Sequence, residues 1–537
     1  MRVDRKRTSR WRRAGLVTLA MMTPPALLGT AAASALPAGQ VLIGGFDVGP
    51  GGLPGKFDPL TATAGFTWYN TYFETLVLYN PGFTHFVGAL AKNWTTAQGG
   101  RSYTFHLRPG VLWQDGEPLT AQDVKFTLEL ASNPATGSIF SGRLSDLQSI
   151  SVVGKDTVTV RFSRPDVNFL DLLTKLMILP QHLLASIPPS QLAQSNWWYT
   201  HPIGTGPFQF VKYVPGQYVQ LKAFPEYWGG KPKLSGLVNR YFKTVASAAE
   251  ALKAGSIQFT YVNPDNVSTF AHDPKFRVIA GPSYVVNYLG FNARAPMFKS
   301  RLVREAFMYA IDRKQIVDSL YGGAATLADC PYVAPALLGS SLNSYPYDPT
   351  KAKELLAQAG WSQLNGSKPI PVLTYYDDQL TANVLSAMQA MLAQVGIDIA
   401  PRQVDVATYN SIILASHPDW RKFPIVFAGL QDGPDPSSVA VGLSANNFPP
   451  RGANFLHVNI PELTKLFTEA GSTTALSAQT HLYRQVCAEV NRQLPWAPMW
   501  VATRYGVVST SVKNFVWTPS PGGGAYAAMP QDWSLSR

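Results

Sequence analysis

Tyr103, Phe105 and Leu107 alternate with Thr104, His106 and Arg108, the period-two pattern of a strand with one face buried. Pro109-Gly110 and Asp115-Gly116 then turn the chain. Thr120-Ala121-Gln122-Asp123 follows, where the hydroxyl can accept from the N–H of Asp123 and the carboxylate can reach back. A helix is predicted to begin there. Val158, Val160 and Phe162 repeat the alternation against Thr157, Thr159 and Arg161. Strand, capped helix and strand in so short a stretch confine the chain to α/β architectures.

The same ingredients recur without strict alternation. One helix is predicted over 303–320, with Phe307, Ala310, Ile311, Val317 and Leu320 along one face. Another starts at Asp348-Pro349, a cap followed by proline in the first turn, and stops at Gly360. Strands are predicted at 371–376 and 425–428, and helices near 381–395, 461–470 and 477–493. This pattern implies lobes with mixed sheets. A chain of 537 residues exceeds what one core supports, so two or three packed units are expected.

Residues 1–13 carry seven Lys/Arg and one Asp, an apolar run from Ala14 to Met22 follows, and Ala33-Ser34-Ala35 is a small-x-small cleavage pattern. Residues 1–35 therefore read as an export signal. The run is short and broken by Pro24-Pro25 for a membrane span, though retention as an anchor stays open. No cysteine follows the run, which leaves a lipoprotein anchor unsupported. Arg12-Arg13 hints at twin-arginine export, but Gly15 stands where a large apolar residue is usual. The signal holds six of the twelve net positive charges, and the remaining +6 does not call for nucleic acid. Export also permits a disulfide between Cys330 and Cys487, subject to their Cα geometry.

Catalytic signatures are missing. There is no His-Glu-x-x-His and no Gly-x-Ser-x-Gly. Gly51–Lys56 is one residue short of a phosphate loop, with Phe57 in place of Ser/Thr, and Gly204-Thr205-Gly206-Pro207 lacks the third glycine of a dinucleotide fingerprint. The chain reads as a non-enzyme without cofactor or metal. A secreted hydrolase remains the alternative from another class, because paired carboxylates are rarely local in sequence.

Several blocks carry a resemblance. They include Phe57-Asp58-Pro59-Leu60, Tyr72-Phe73-Glu74-Thr75-Leu76, and a long stretch from Gly88 through Trp94, Tyr103–Val111, Trp113 and Asp115-Gly116 to Phe126. Later come Gly204-Thr205-Gly206-Pro207-Phe208, Tyr227-Trp228-Gly229-Gly230-Lys231-Pro232, Phe291-Asn292, Ala310-Ile311-Asp312-Arg313, and Tyr347-Asp348-Pro349 through Gly360-Trp361. Together they resemble the ABC-transporter extracellular solute-binding proteins of family 5, the dipeptide-, oligopeptide- and nickel-binding group.

The resemblance implies a clamshell of the type II periplasmic-binding-protein class. Lobe I would comprise 36–68, 200–283 and 500–537, with a small domain inserted at 69–199. Lobe II would be 284–499, with hinge crossings near 284–290 and 495–503. It also implies a monomer at the periplasmic or extracellular face of the cytoplasmic membrane, handing a peptide to an ABC permease. An oligosaccharide or metal chelate is the alternative solute.

In peptide-binding relatives an aspartate three residues before an Asp-Pro pairs with the ligand's ammonium, a role that falls here on Asp432, before Asp435-Pro436. The alternative is a plain turn aspartate in Gln431-Asp432-Gly433-Pro434. The family's tryptophan three positions earlier is Gly429, so Phe427 or a ring from elsewhere has to replace it if the pocket keeps that wall. The opposite wall falls on Thr63, Ala64 and Gly65, whose backbone could pair with an extended peptide. Trp517 and Tyr526, in the tail, are further candidates.

Overall fold

The alternation at 103–108 becomes the strand Ser102–Leu107, with Tyr103, Phe105 and Leu107 buried. It lies in a four-stranded antiparallel sheet ordered Ala91–Ala97, Ser102–Leu107, Thr157–Phe162, Leu147–Val153. The helix Ala121–Ser132 packs on this sheet and starts with the expected capping box, the Thr120 N–H donating to Asp123 Oδ2 at 2.8 Å. The computed structural model describes residues 40–48, 58–61, 71–339, 341–365, 368–376, 378–413, 419–431, 435–449, 453–516 and 528–536, all within one unit, Gly39–Arg537. The export signal and the Gly51–Lys56 loop lie outside these residues.

An eleven-stranded mixed sheet forms the backbone of the molecule. Its order is Ile399–Gln403, Ile370–Thr374, Ile425–Gln431, Phe276–Phe291, Trp496–Ser509, Phe259–Val262, Val41–Val48, Gly236–Phe242, Tyr218–Ala223, Phe208–Val214. Ala325–Leu327 pairs beside Trp496–Ser509. Parallel pairs on either side of an antiparallel centre, and an antiparallel edge at Tyr218–Ala223 and Phe208–Val214, make it the mixed α/β arrangement expected.

Separate cores cover this sheet. One gathers residues from Leu42 to Tyr261 together with Val508, Val512, Phe515 and Trp533. Two others draw their buried residues from 288–500. The second of these contains a disulfide between Cys330 and Cys487, Cα atoms 5.2 Å apart, which ties the helix Leu476–Gln493 to the loop after Ala325–Leu327.

The helix predicted over 303–320 is two helices, Arg301–Ala310 and Arg313–Leu320. Ile311 is extended, and Asp312 accepts from the N–H of Gln315 at 2.8 Å, so an internal cap restarts the helix. The restart buries Arg313, which donates to Ala328 O at 2.7 Å and Pro498 O at 3.0 Å. Asp348 caps Pro349–Gln358 and Gly360 ends the turn beyond it at φ +69°, as expected. No helix among the described residues is long and apolar enough to cross a membrane.

Candidate functional site

The two long strands, Phe276–Phe291 and Trp496–Ser509, run antiparallel from the first core into the second pair of cores. Their ladder breaks midway. Pro282 pairs with Thr503 but the next pair is Val286 with Val501, so the first strand bulges between. Ser283 Oγ accepts from the N–H of Val285 at 3.2 Å, and Tyr284 takes φ +52°. A bulky residue in the left-handed region needs support from its surroundings. Tyr284 finds it against Phe83, ring centroids 5.4 Å apart, and Phe83 in turn meets Tyr79 at 5.7 Å.

Tyr79 leads into a buried charge cluster. Its hydroxyl donates to Asp171 Oδ1 at 2.9 Å, while Lys175 Nζ and Arg143 Nη1 lie 2.8 and 3.3 Å from Asp171 Oδ2. Burial alone would raise the Asp171 pKa, but Lys175 and Arg143 outweigh it and hold the carboxyl below its usual value. Asp435, on the other side, is a second buried carboxylate within electrostatic reach. Burial, then the Asp171 charge, push it up to about 7, which Arg143 and Lys175 only partly offset. Asp435 also accepts from the N–H of Ser437 at 2.8 Å. Beside the cluster, the N–H of Val167 donates to Gly471 O at 3.3 Å. The 166–175 stretch therefore meets the helix Pro461–Ser472 directly.

All six residues singled out as ligand contacts, Thr63, Ala64, Gly65, Asp432, Trp517 and Tyr526, lie outside the described residues. Their described neighbours do not scatter. Gln431 pairs with Val285 in the bulge, and Asp435 is within electrostatic reach of Asp171. Ala528 packs against Tyr79 and Phe83, and Leu60 O accepts from the N–H of Ile139 at 3.0 Å.

The missing tryptophan at Gly429 has a structural counterpart. A Cβ there would meet Tyr376 Oη at 2.1 Å and Val285 Cγ1 at 2.4 Å, so the space beside the strand is already filled. Tyr376 Oη donates to Asn287 Oδ1 at 3.1 Å, and Tyr375 Oη donates to Gly429 O at 3.1 Å. Phe427 is in the core, 1% exposed, with Trp500 5.9 Å away. The ring next to Gly429 is thus Tyr376, and Phe427 serves packing.

The blocks that carry the resemblance converge elsewhere. Glu74 accepts from Tyr227 Oη at 2.9 Å and from Trp228 Nε1 at 3.0 Å. The Arg108 guanidinium lies 4.4 Å from the Trp228 ring centroid and donates to Gly88 O at 3.2 Å. Burial raises Glu74 to about 7 even though its hydrogen bonds and Arg108 pull it down. Gln114 donates to Phe208 O at 2.7 Å and Gly206 O at 3.0 Å, and accepts from the N–H of Gly204 at 3.1 Å. A Cβ on Gly204 would sit 1.8 Å from Tyr72 O. The motif residues thus form a polar knot between the start of the four-stranded region and the strands that follow it.

Sequence reasoning quoted Glu74 and Asp435 only as parts of motifs, and missed Arg143, Asp171 and Lys175. The i,i+4 spacing of Asp171 and Lys175 was the available local signal.

Comparison with known proteins accords with this architecture. Residues 85–448 match the model of the bacterial extracellular solute-binding proteins, family 5. A protein of Brucella melitensis, provisionally named an ABC transporter peptide-binding protein, is 52% identical over 505 residues, covering 94% of this chain and 95% of its own. The structure of the oligopeptide-binding protein AppA of Bacillus subtilis, in complex with a nonapeptide, superposes with a TM-score of 0.83 at 23% identity. It covers 93% of this chain and 99% of its own. NikZ of Campylobacter jejuni, in complex with Ni(L-His), gives 0.79 at 23% identity, with 92% and 99% covered. The fold is therefore the type II periplasmic-binding-protein clamshell, and the chain belongs to the family 5 bacterial extracellular solute-binding proteins.

Proposed function

We propose that this protein captures a peptide outside the cytoplasm and delivers it to an ABC import permease, without chemical turnover. The observation that carries this reading is the 52% identity to an ABC transporter peptide-binding relative across 94% of the chain. The match to the bacterial extracellular solute-binding family supports a location outside the cytoplasm. Residues 1–35 act as the export signal.

In this reading, 36–68, 200–283 and 500–537 form lobe I, 69–199 the inserted domain and 284–499 lobe II. What supports setting lobe II apart is that one core draws on residues 42–261 and 508–533, lobe I and the inserted domain together, and two more on 288–500. The bulge at Ser283-Tyr284 gives the crossing strands a place to bend, and a ligand touching both sides selects the closed arrangement. Asp432 clamps the peptide ammonium, the backbone of Thr63, Ala64 and Gly65 pairs with the extended ligand, and Trp517 and Tyr526 close over it. The neighbouring Gln431, Asp435 and Ala528, gathered around the bulge and the Tyr79–Phe83 pair, support that placement.

The test is mass spectrometry of ligand released from gently purified protein, followed by calorimetry on Asp432→Ala. Peptides should be released, and the variant should bind them at least about tenfold more weakly, the loss of one charge-assisted hydrogen bond. Release of an oligosaccharide or a nickel chelate would replace the peptide; equal affinity in the variant would remove Asp432 from the site.

A further inference from the structure

At the end of the long strands remote from the first core, a cavity of about 550 Å³ opens between Phe291, Pro495 and the 457–460 segment. Phe291 ends one strand and Pro495 immediately precedes the other. At about 3.3 Å per residue this cavity is roughly 20 Å from the bulge, so it is separate from the proposed peptide cleft.

Its chemistry is one-sided. Arg294, Lys299 and Arg304 line it, and no aspartate or glutamate does. Glu462, in the first turn of the adjacent helix Pro461–Ser472, is exposed and outside the lining. Among the described residues neither Arg294 nor Lys299 has a carboxylate partner; the ion pairs formed nearby belong to Arg301 and Arg492. Arg304 is held rigidly, its Nε and Nη2 donating to Gln493 O at 2.9 and 2.7 Å. Burial and Arg301 lower its pKa to about 10, which still leaves it charged at neutral pH. The helix Pro461–Ser472 begins at the cavity wall without a side-chain cap, adding its N-terminal partial charge.

His457 fits the same picture. It adopts φ +52°, a conformation costly for a non-glycine residue, and its ring stacks on Phe448 at 5.1 Å. Its Nε2 is 3.1 Å from Arg294 Nη1. Guanidinium only donates, so Nε2 accepts and the ring is neutral with its proton on Nδ1. The imidazole lone pair thus occupies Arg294 where an anionic oxygen would otherwise sit.

We propose that this cavity is a second binding site, for a compact oxyanion such as a sulfate, phosphate or carboxylate group. The anion displaces the His457 lone pair from Arg294 and joins Arg294 to Lys299 over the aromatic floor of Phe298 and Phe448.

Calorimetry of the full chain with sodium sulfate tests this. Sulfate should bind saturably, and the R294A/K299A double variant should bind it at least about tenfold more weakly. Both substituted side chains are exposed, and unchanged peptide affinity in the variant would show an intact fold. Vesicles containing phosphatidylglycerol separate two sources of the anion. Binding that sulfate competes away and the variant lacks assigns the site to a lipid phosphate; sulfate binding without vesicle binding assigns it to a free anion. No saturable sulfate binding, or equal binding by parent and variant, overturns the site.

Discussion

Glu74 and Asp435 are both desolvated carboxyls raised to about 7, yet they sit in unlike surroundings. Every named neighbour of Glu74 favours its charged form: Trp228, Thr205 and Tyr227 by hydrogen bonding, Arg108 by charge. Only burial opposes them. Asp435 meets a second carboxylate, Asp171, which adds to the effect of burial. Glu74 therefore reads as the satisfied centre of a structural knot. Asp435 sits among mixed charges: the Asp171 carboxylate opposes its ionisation, while Arg143, Lys175 and the Ser437 N–H favour it. Burial shifts the pKa in the same direction in both; what sets Asp435 apart is one like charge among its neighbours.

The largest effect should fall on the knot. Gly204→Ala puts a methyl group into the Tyr72 carbonyl, and unfolding experiments should show a loss on the order of 3 kcal/mol. Glu74→Ala leaves the Tyr227 hydroxyl and Trp228 N–H without their acceptor. It should cost about 2 kcal/mol in denaturant unfolding while peptide affinity in the folded protein stays unchanged. A drop in affinity comparable to that loss would erase the distinction between the two regions.

The pH dependence sharpens it. Each carboxyl titrates higher in the folded chain than in the unfolded one, so between about pH 4 and 7 the folded state holds more protons. Stability is then greatest on the acid side and falls as pH rises through about 7. Glu74→Gln and Asp435→Asn should each flatten part of that slope. Only Asp435→Asn should also flatten ligand affinity, which in the parent declines by up to about tenfold from pH 6 to pH 8. The smallest effect concerns Gly429→Ala, expected to cost about 1 kcal/mol by displacing Tyr376. Combined with Tyr376→Phe, which removes one of the two clashing atoms and leaves Val285 Cγ1, only part of that cost should disappear in a double-mutant cycle.

Local chemistry made much of the fold legible. Thr120 and Asp348 announce their helices because a cap is written within four residues, and the alternation at 103–108 and 157–162 needs no distant partner. The 303–320 helix was misread for the same reason inverted: Asp312 is itself a cap, and apolar spacing alone ran through it. Sheet order was not legible, since Val41–Val48 lies between strands that begin at residues 236 and 259. Nor could motifs reveal that Glu74, Arg108, Gln114, Gly204 and Trp228 meet, because their encounter depends on contacts between residues 90 to 154 positions apart in the chain. Asp171 and Asp435 become a pair only once two elements are packed against each other.

The position of Trp496–Ser509 in the sheet has a consequence for how the molecule is made. It is made long after both of its neighbours, yet it stands between them, between Phe276–Phe291 and Phe259–Val262. Until residue 509 has emerged, each of those strands presents an open edge to the other, with nothing to join them. Neither half of the sheet can finish early at the expense of the other, because the keystone arrives after both. The sheet stays in two open halves until that strand is made, and the chain up to that point offers unpaired edges to chaperones.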